Sequence, residues 1–154
     1  MTRIRYIEGH EELIEDVGPL WKRLNQHHQG ISTQFSREIG QVTFAQRKSH
    51  WLNNLKSGQV RIDLAQVEDS NEVVGYCVTI SNSDLGEIES IYVDEAFRKM
   101  GIGDCLVTRA LNWLDRQSVK TKRVNVAIGN EQVLTFYSRY GFLPRAITLE
   151  QKLL

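Results

Sequence analysis

Residues 86–114 read GEIESIYVDEAFRKMGIGDCLVTRALNWL, and two changes of pattern inside this stretch frame the rest of the chain. Gly86 to Val93 is short and rich in Ile, Tyr and Val, which suits a strand. From Ile102, the residues Leu106, Val107, Ala110, Leu111, Trp113 and Leu114 recur on one helical face, predicting a helix to Ser118. Between them lies Arg98-Lys99-Met100-Gly101-Ile102-Gly103, a glycine-bearing connection that runs straight into the helix. The first amides of a helix have no intrahelical acceptor, and the aligned peptide dipoles add partial positive charge, so such a start can hold a pyrophosphate. Gly101 and Gly103 let backbone approach phosphate oxygens without a Cβ in the way. Arg98 and Lys99 add cationic charge, making 98–104 a candidate phosphate cradle. Asp104 is the discordant member, an acid beside the diphosphate although suited to a helix start. The Gly-x-Gly-x-x-Gly string of a dinucleotide fold and the Gly-Lys-Ser/Thr of a nucleoside-triphosphatase loop are both missing. Taken alone, the two glycines read more readily as a tight strand-to-helix turn beside a basic surface.

Outward from this unit, Arg3 to Glu8 reads as an opening strand, and a helix follows from His10 to His28 with a kink expected at Gly18-Pro19. Residues 29–42 look irregular, and Thr43 to Leu55 forms a second amphipathic helix. Runs at Gln59 to Val67, Glu72 to Ile80 and Gly86 to Val93, separated by short polar turns, form an antiparallel meander. A strand at Arg123 to Ile128, a helix at Glu131 to Tyr140 and a closing strand around Ile147 and Leu149 complete the order. The expectation is an α/β (α+β) fold, a mixed, mostly antiparallel sheet flanked by helices, with residues 1–154 as a single domain.

Composition narrows the function classes. Nineteen basic and nineteen acidic residues balance, with a pI of about 6.9, so no global field recruits nucleic acid or an anionic membrane. The charged N-terminus and short apolar runs lack a signal peptide or spanning segment, which points to a cytoplasmic protein. Cys77 and Cys105 have no spacing for a disulfide framework or a zinc site, and no metal is expected.

Arg98-x-x-Gly101-x-Gly103 between a strand and a helix resembles the acyl-CoA signature of the Gcn5-related N-acetyltransferase (GNAT) family, matching at all three positions. Asn130, Tyr137 seven positions on and Gly141-Phe142 resemble that family's second pattern, and the order of elements resembles it over essentially the whole chain. The resemblance implies a sheet of about six to seven strands with about four helices, acetyl-CoA as co-substrate and an N-acetyltransferase activity. It implies pantetheine hydrogen bonds from the main chains of Ile91 and Val93, with the cofactor acting as a strand-like element beside the strand at Arg123. A β-bulge near Ser90 to Tyr92 would splay those strands, although nothing in the sequence marks one. It also implies a pantetheine contact from Asn130, whose position before a helical run independently suits an N-cap, with Gly141 as the C-cap.

Amide formation needs a neutral attacking amine and a proton for the departing thiolate. Glu87 and Glu89 lie two apart on a strand and so share a face, and either could take the amine's proton. The resemblance favours Glu87, eleven residues before Arg98, with Glu89 the alternative. It assigns Tyr137 the general acid, where the pattern alone would allow Phe136, Tyr137 and Tyr140 to be packing aromatics. His27, His28, Phe35 and Phe44 are expected to border the acceptor pocket, the histidine pair serving equally well as a solvated helix face. Cys105 sits among apolar neighbours and does not suit a covalent acyl carrier. The expected reaction is direct attack in a ternary complex by a small-molecule or peptide amine. The alternative is a non-catalytic acyl-CoA-binding regulatory module, which the joint presence of Glu87 and Tyr137 disfavours. A homodimer is an open option through an edge strand at Ile147 to Leu154.

Overall fold

The computed structural model describes residues 1–153. Strand β1 (Ile4–Gly9) leads through a 3₁₀ turn into α1 (Ile14–Ile31), then α2 (Ser36–Gln41) and α3 (Phe44–Asn53). The meander β2 (Gly58–Val67), β3 (Val73–Asn82) and β4 (Leu85–Val93) follows, then α4 (Ile102–Arg116), β5 (Thr121–Val124) and α5 (Val133–Ser138). The five strands lie in chain order, with the first three pairings antiparallel and β4–β5 parallel across the α4 crossover. The tight turns between strands take left-handed backbone at Asn71 (φ 61°) and Ser83 (φ 55°), short polar residues suited to it.

Alternation along β2 and β3 sends side chains to two separate cores. On one face, Val60, Ile62, Leu64, Tyr76 and Val78 pack with Val17, Leu20 and Trp21 of α1 and Trp51 of α3. On the other, Ala65, Val74, Cys77 and Ile88 pack with Leu106, Val107 and Ala110 of α4 and Tyr137 of α5. A sheet covered on both faces explains why β2 and β3 read as nearly continuous buried runs.

Among the described residues there are five strands rather than six to seven, and five α-helices rather than four. The shortfall is at the C-terminus. Ile147 and Leu149 are 71% and 89% exposed, and residues 142–153 form no strand, because alternation alone makes no ladder without a neighbour. Leu154 of the expected edge lies outside the described residues. β5 is four residues long and ends at Val124, short of Ile128, and α5 begins at Val133. Asn130 is therefore no N-cap: its Oδ1 accepts from the Gln132 side chain (2.7 Å) and not from a helix amide. Helix α2, inside the stretch expected to be irregular, is too short for a periodicity to show. α3 starts where expected, fixed by a capping box in which Thr43 and Gln46 satisfy each other's backbone amides. α1 continues as one helix through Pro19.

One irregularity positions the site. Along β3, Val78 pairs with Ser90 and Thr79 with Ile88, so Glu89 is an extra residue bulged out of β4. The parallel ladder with β5 stops at the same point, its last pair being Ile88 with Val124. Beyond the bulge, Ser90 to Val93 pair with β3 alone and leave a gap on the β5 side.

Candidate active site

At the end of β4, Asp94 closes a 3₁₀ turn by accepting from the Ala96 amide (3.2 Å), and the chain reverses into α4. Lys99 (φ 67°) and Gly101 (φ 78°) are both left-handed, and the first helical bond runs from the Cys105 amide to the Gly101 carbonyl (3.1 Å). Before it, the amides of Lys99, Met100, Gly101, Ile102, Gly103 and Asp104 find no acceptor among the described residues. Six consecutive donors without an acceptor, at a helix N-terminus and beside two left-handed residues, are suited to an anion. The residues present therefore fit a diphosphate. Gly101 and Gly103 leave the approach open, a Cβ on Gly101 meeting nothing within 4 Å and one on Gly103 only the Phe136 ring at 3.6 Å.

The side chains nearby are placed less simply. Arg98 folds back, its Nε donating to the Val93 carbonyl (3.1 Å) and its guanidinium 5.4 Å from the centre of the Tyr92 ring. Asp104 turns towards α5, where Arg139 pairs with it (2.8 Å) and the Tyr140 hydroxyl donates to it. Its charge is thus partly neutralised, and it ties α4 to α5. Ile102 is buried beneath the loop while Lys99 and Met100 are exposed. Ile91 and Val93 lie on β4 beyond the bulge, beside the gap.

Glu87 and Glu89 both turn to the α3 face. Glu87 is held by Asn125 (3.3 Å) and Arg123 (3.7 Å). Glu89, its side chain 10% exposed, lies 3.7 Å from Arg47 and 3.6 Å from His50. Burial pushes its carboxyl up to about 7, the neighbouring Glu87 adds to this, and Arg47 and the Trp51 indole pull it back. The Trp51 N–H is buried without a hydrogen-bond partner among the described residues, so its dipole acts on Glu89 at longer range. Next to Glu87, a cleft of about 370 Å³ is lined by His50, Trp51, Asn53, Asn54, Ser57 and Ile80. Tyr137 is on the opposite face, 7% exposed against the α4 core, and burial pushes its hydroxyl well above the ordinary phenol range. Gly141 (φ 87°) ends α5, and Phe142 packs 6.0 Å from the Tyr137 ring.

The structure thus brings Glu87 and Glu89 together and puts Tyr137 across the sheet from them. Phe44 packs between Trp21 and Trp51 in the core, and Phe35 lies under Lys152. His28 is half-buried, and that desolvation lowers its basicity. The sequence reading missed Arg47, His50 and Trp51, three positions on one face of α3, and Arg123 and Asn125 on and after β5. The 47/50/51 spacing is visible in the sequence, but nothing local says which face it presents.

The family model for the acetyltransferase (GNAT) family matches residues 24–142. The chain belongs to this family. A mycothiol acetyltransferase from Acidimicrobium ferrooxidans is 35% identical over 81 residues, 49% of this chain and 26% of that protein. The chain thus spans about a quarter of that relative's length. Among solved structures, the aminoglycoside N-acetyltransferase AAC(6')-Iy in complex with CoA superposes with TM-score 0.70, 13% identity and coverage of 99% of this chain and 97% of that one. A ribosomal-protein-alanine N-acetyltransferase from Brucella melitensis gives 0.66 at 14% identity, covering 98% and 100%. At these identities the shared property is the GNAT fold. Among the described residues of this GNAT chain, no helix is long and apolar enough to cross a membrane, and no group of three His, Cys, Asp or Glu side chains could hold a metal ion.

Proposed function

We propose that residues 1–154 act as one N-acetyltransferase domain that transfers an acetyl group from acetyl-CoA to a primary amine, on a small molecule or a peptide, by direct attack in a ternary complex. The observation that carries this reading is that Ser90–Val93 pair with β3 but not with β5, leaving one side of β4 open between Glu89 and the six amides without an acceptor at the start of α4. Amides 99–104 hold the diphosphate, Lys99 adds charge, and Arg98 can swing off the Val93 carbonyl towards it. Main-chain groups of Ile91 and Val93 pair with the pantetheine arm, and Asn130 caps the far side. Acetyl-CoA supplies the activated thioester.

Glu89 is the better placed base, because a carboxyl titrating at about 7 can accept a proton at neutral pH and still release it. Glu87, tied to Arg123 and Asn125, raises its proton affinity. Tyr137 keeps its proton until the leaving sulfur requires it, since burial holds the phenol neutral. Both cysteines are free thiols, consistent with a cytoplasmic enzyme, and Cys77 is buried. Homodimerisation through the exposed apolar tail belongs to the same reading. Calorimetric titration with acetyl-CoA, followed by thiol-release assays across a panel of amines, tests it. Micromolar binding with amine-dependent release and intersecting initial-rate lines is expected. Binding without release would leave a regulatory module, and no binding would overturn the assignment of the loop.

A further inference from the structure

Glu89 is nearly sealed from solvent, so whatever proton it accepts has to leave through a neighbour. Every charged, titratable or donor group facing it can be named. Glu87 is on the same strand, its side chain 12% exposed and engaged by Arg123 and Asn125. Arg47 of α3 is 3.7 Å away, and a guanidinium does not give up a proton. The Trp51 indole only donates. The neighbouring Ser90 hydroxyl is taken up by Tyr76 (2.7 Å). His50 remains, with Nε2 3.6 Å from Oε1 of Glu89 and its side chain 65% exposed, in contact with the carboxyl at one end and with water at the other.

Resting on the acetyltransferase reading above, we infer that His50 is the proton exit of this site, taking from Glu89 the proton the amine has lost and passing it to solvent. The steps balance as two transfers. The Glu89 Oε1–H bond breaks as a neutral imidazole gains the proton at Nε2. The imidazolium then loses its Nδ1 proton to water or a buffer base, leaving a carboxylate and the Nε2–H tautomer, and proton exchange of the exposed ring with solvent returns it to the Nδ1–H tautomer for the next turnover. Burial raises the Glu89 carboxyl to about 7, so it can give up its proton again near neutral pH to a base beside it. The separation requires a small side-chain rotation to reach hydrogen-bond length. The location also fits the helix: Arg47, His50 and Trp51 share one face of α3, so a single element both tunes the carboxyl and drains it.

The test compares wild type with His50→Gln in dilute (about 1 mM) and concentrated (about 100 mM) imidazole buffer. In dilute buffer the variant is expected to lose about tenfold in kcat with the KM for acetyl-CoA unchanged, a modest share of what general acid–base groups contribute. Imidazole should restore it in proportion to concentration while wild type stays nearly flat, which a merely structural histidine would not show. Equal kcat in dilute buffer, or a loss that imidazole does not rescue, overturns the inference. A second measurement holds even without turnover. The His50 ring proton shift, followed by NMR against pH, should show an inflection near 7 from Glu89 that vanishes in Glu89→Gln. A single step indifferent to that substitution overturns the coupling. Absence of amine-dependent release in wild type, with the NMR coupling intact, would instead count against the acetyltransferase reading.

Discussion

Glu89 sits where stability and chemistry oppose each other. Its folded-state carboxyl titrates at about 7 against an ordinary 4.5, so the native state favours the neutral form. Wild type should therefore lose stability as pH rises from about 4.5 to about 7 and then level off, because charging a desolvated carboxyl is harder than charging an exposed one. Glu89→Gln removes that loss and should be more stable at pH 8 by on the order of 1–3 kcal/mol, read from denaturant midpoints. Activity has the opposite sign. Only the carboxylate accepts a proton, so kcat/KM should climb as pH is raised through about 7, and the Gln variant should lose about 100-fold or more. For Tyr137, replacement by Phe keeps the packing against Phe136 and Phe142 and removes only the hydroxyl. Turnover should fall about tenfold or more while calorimetric affinity for acetyl-CoA is retained; an unchanged kcat would reduce Tyr137 to packing.

At the scale of elements, the start of α4 allows binding and folding to be separated. Gly103 is in the first helical turn, where Ala is preferred by roughly 1 kcal/mol, and an added Cβ would make only an ordinary contact with Phe136. Gly103→Ala should leave thermal stability unchanged or slightly raised while weakening acetyl-CoA binding about tenfold, because the methyl group obstructs the phosphate approach. A second element-level device joins β1, β2 and α4. Asp63, fully buried, accepts from Arg61 (2.9 Å) and from Arg109 (3.0 Å), and both arginines also reach Glu8 (3.0 and 3.3 Å). Asp63→Ala leaves two guanidiniums facing each other with the buried acceptor gone. It should cost about 3–5 kcal/mol, a fall in Tm of about 10 °C by calorimetry.

For the molecule as a whole, Glu89 and Tyr137 lie on opposite faces of one sheet, and a ligand threaded between β4 and β5, as proposed, would cross-brace both cores. Acetyl-CoA at about 100 times its Kd should stabilise by about 2.7 kcal/mol, raising Tm by roughly 5–10 °C. CoA should do nearly the same, since most proposed contacts are to the diphosphate and pantetheine arm. A shift absent with both ligands would argue that the gap does not bind them. The exposed residues Leu143, Ile147, Leu149 and Leu153 add nothing to either core.

The local chemistry of this protein was readable from its residues. Alternation gave the meander, helical periodicity gave α4, and glycines in a basic strand-to-helix turn pointed to phosphate before any tertiary contact was known. Glu87 and Glu89 could be put on one face because a strand alternates with period two, and the bulge at Glu89 leaves them there. What the sequence could not carry was anything depending on a partner distant in the chain. The closing strand at Ile147 fails for lack of a neighbour to pair with. Asn130 loses its capping role to a helix that begins three residues later. The upward shift that suits Glu89 to accept a proton comes first from its burial in the fold, with Glu87 adding to it and Arg47 of α3, about forty positions earlier in the sequence, pulling it back. Periodicity is a property of neighbours along the chain, whereas ladders, desolvation and proton affinity depend on what the fold brings alongside.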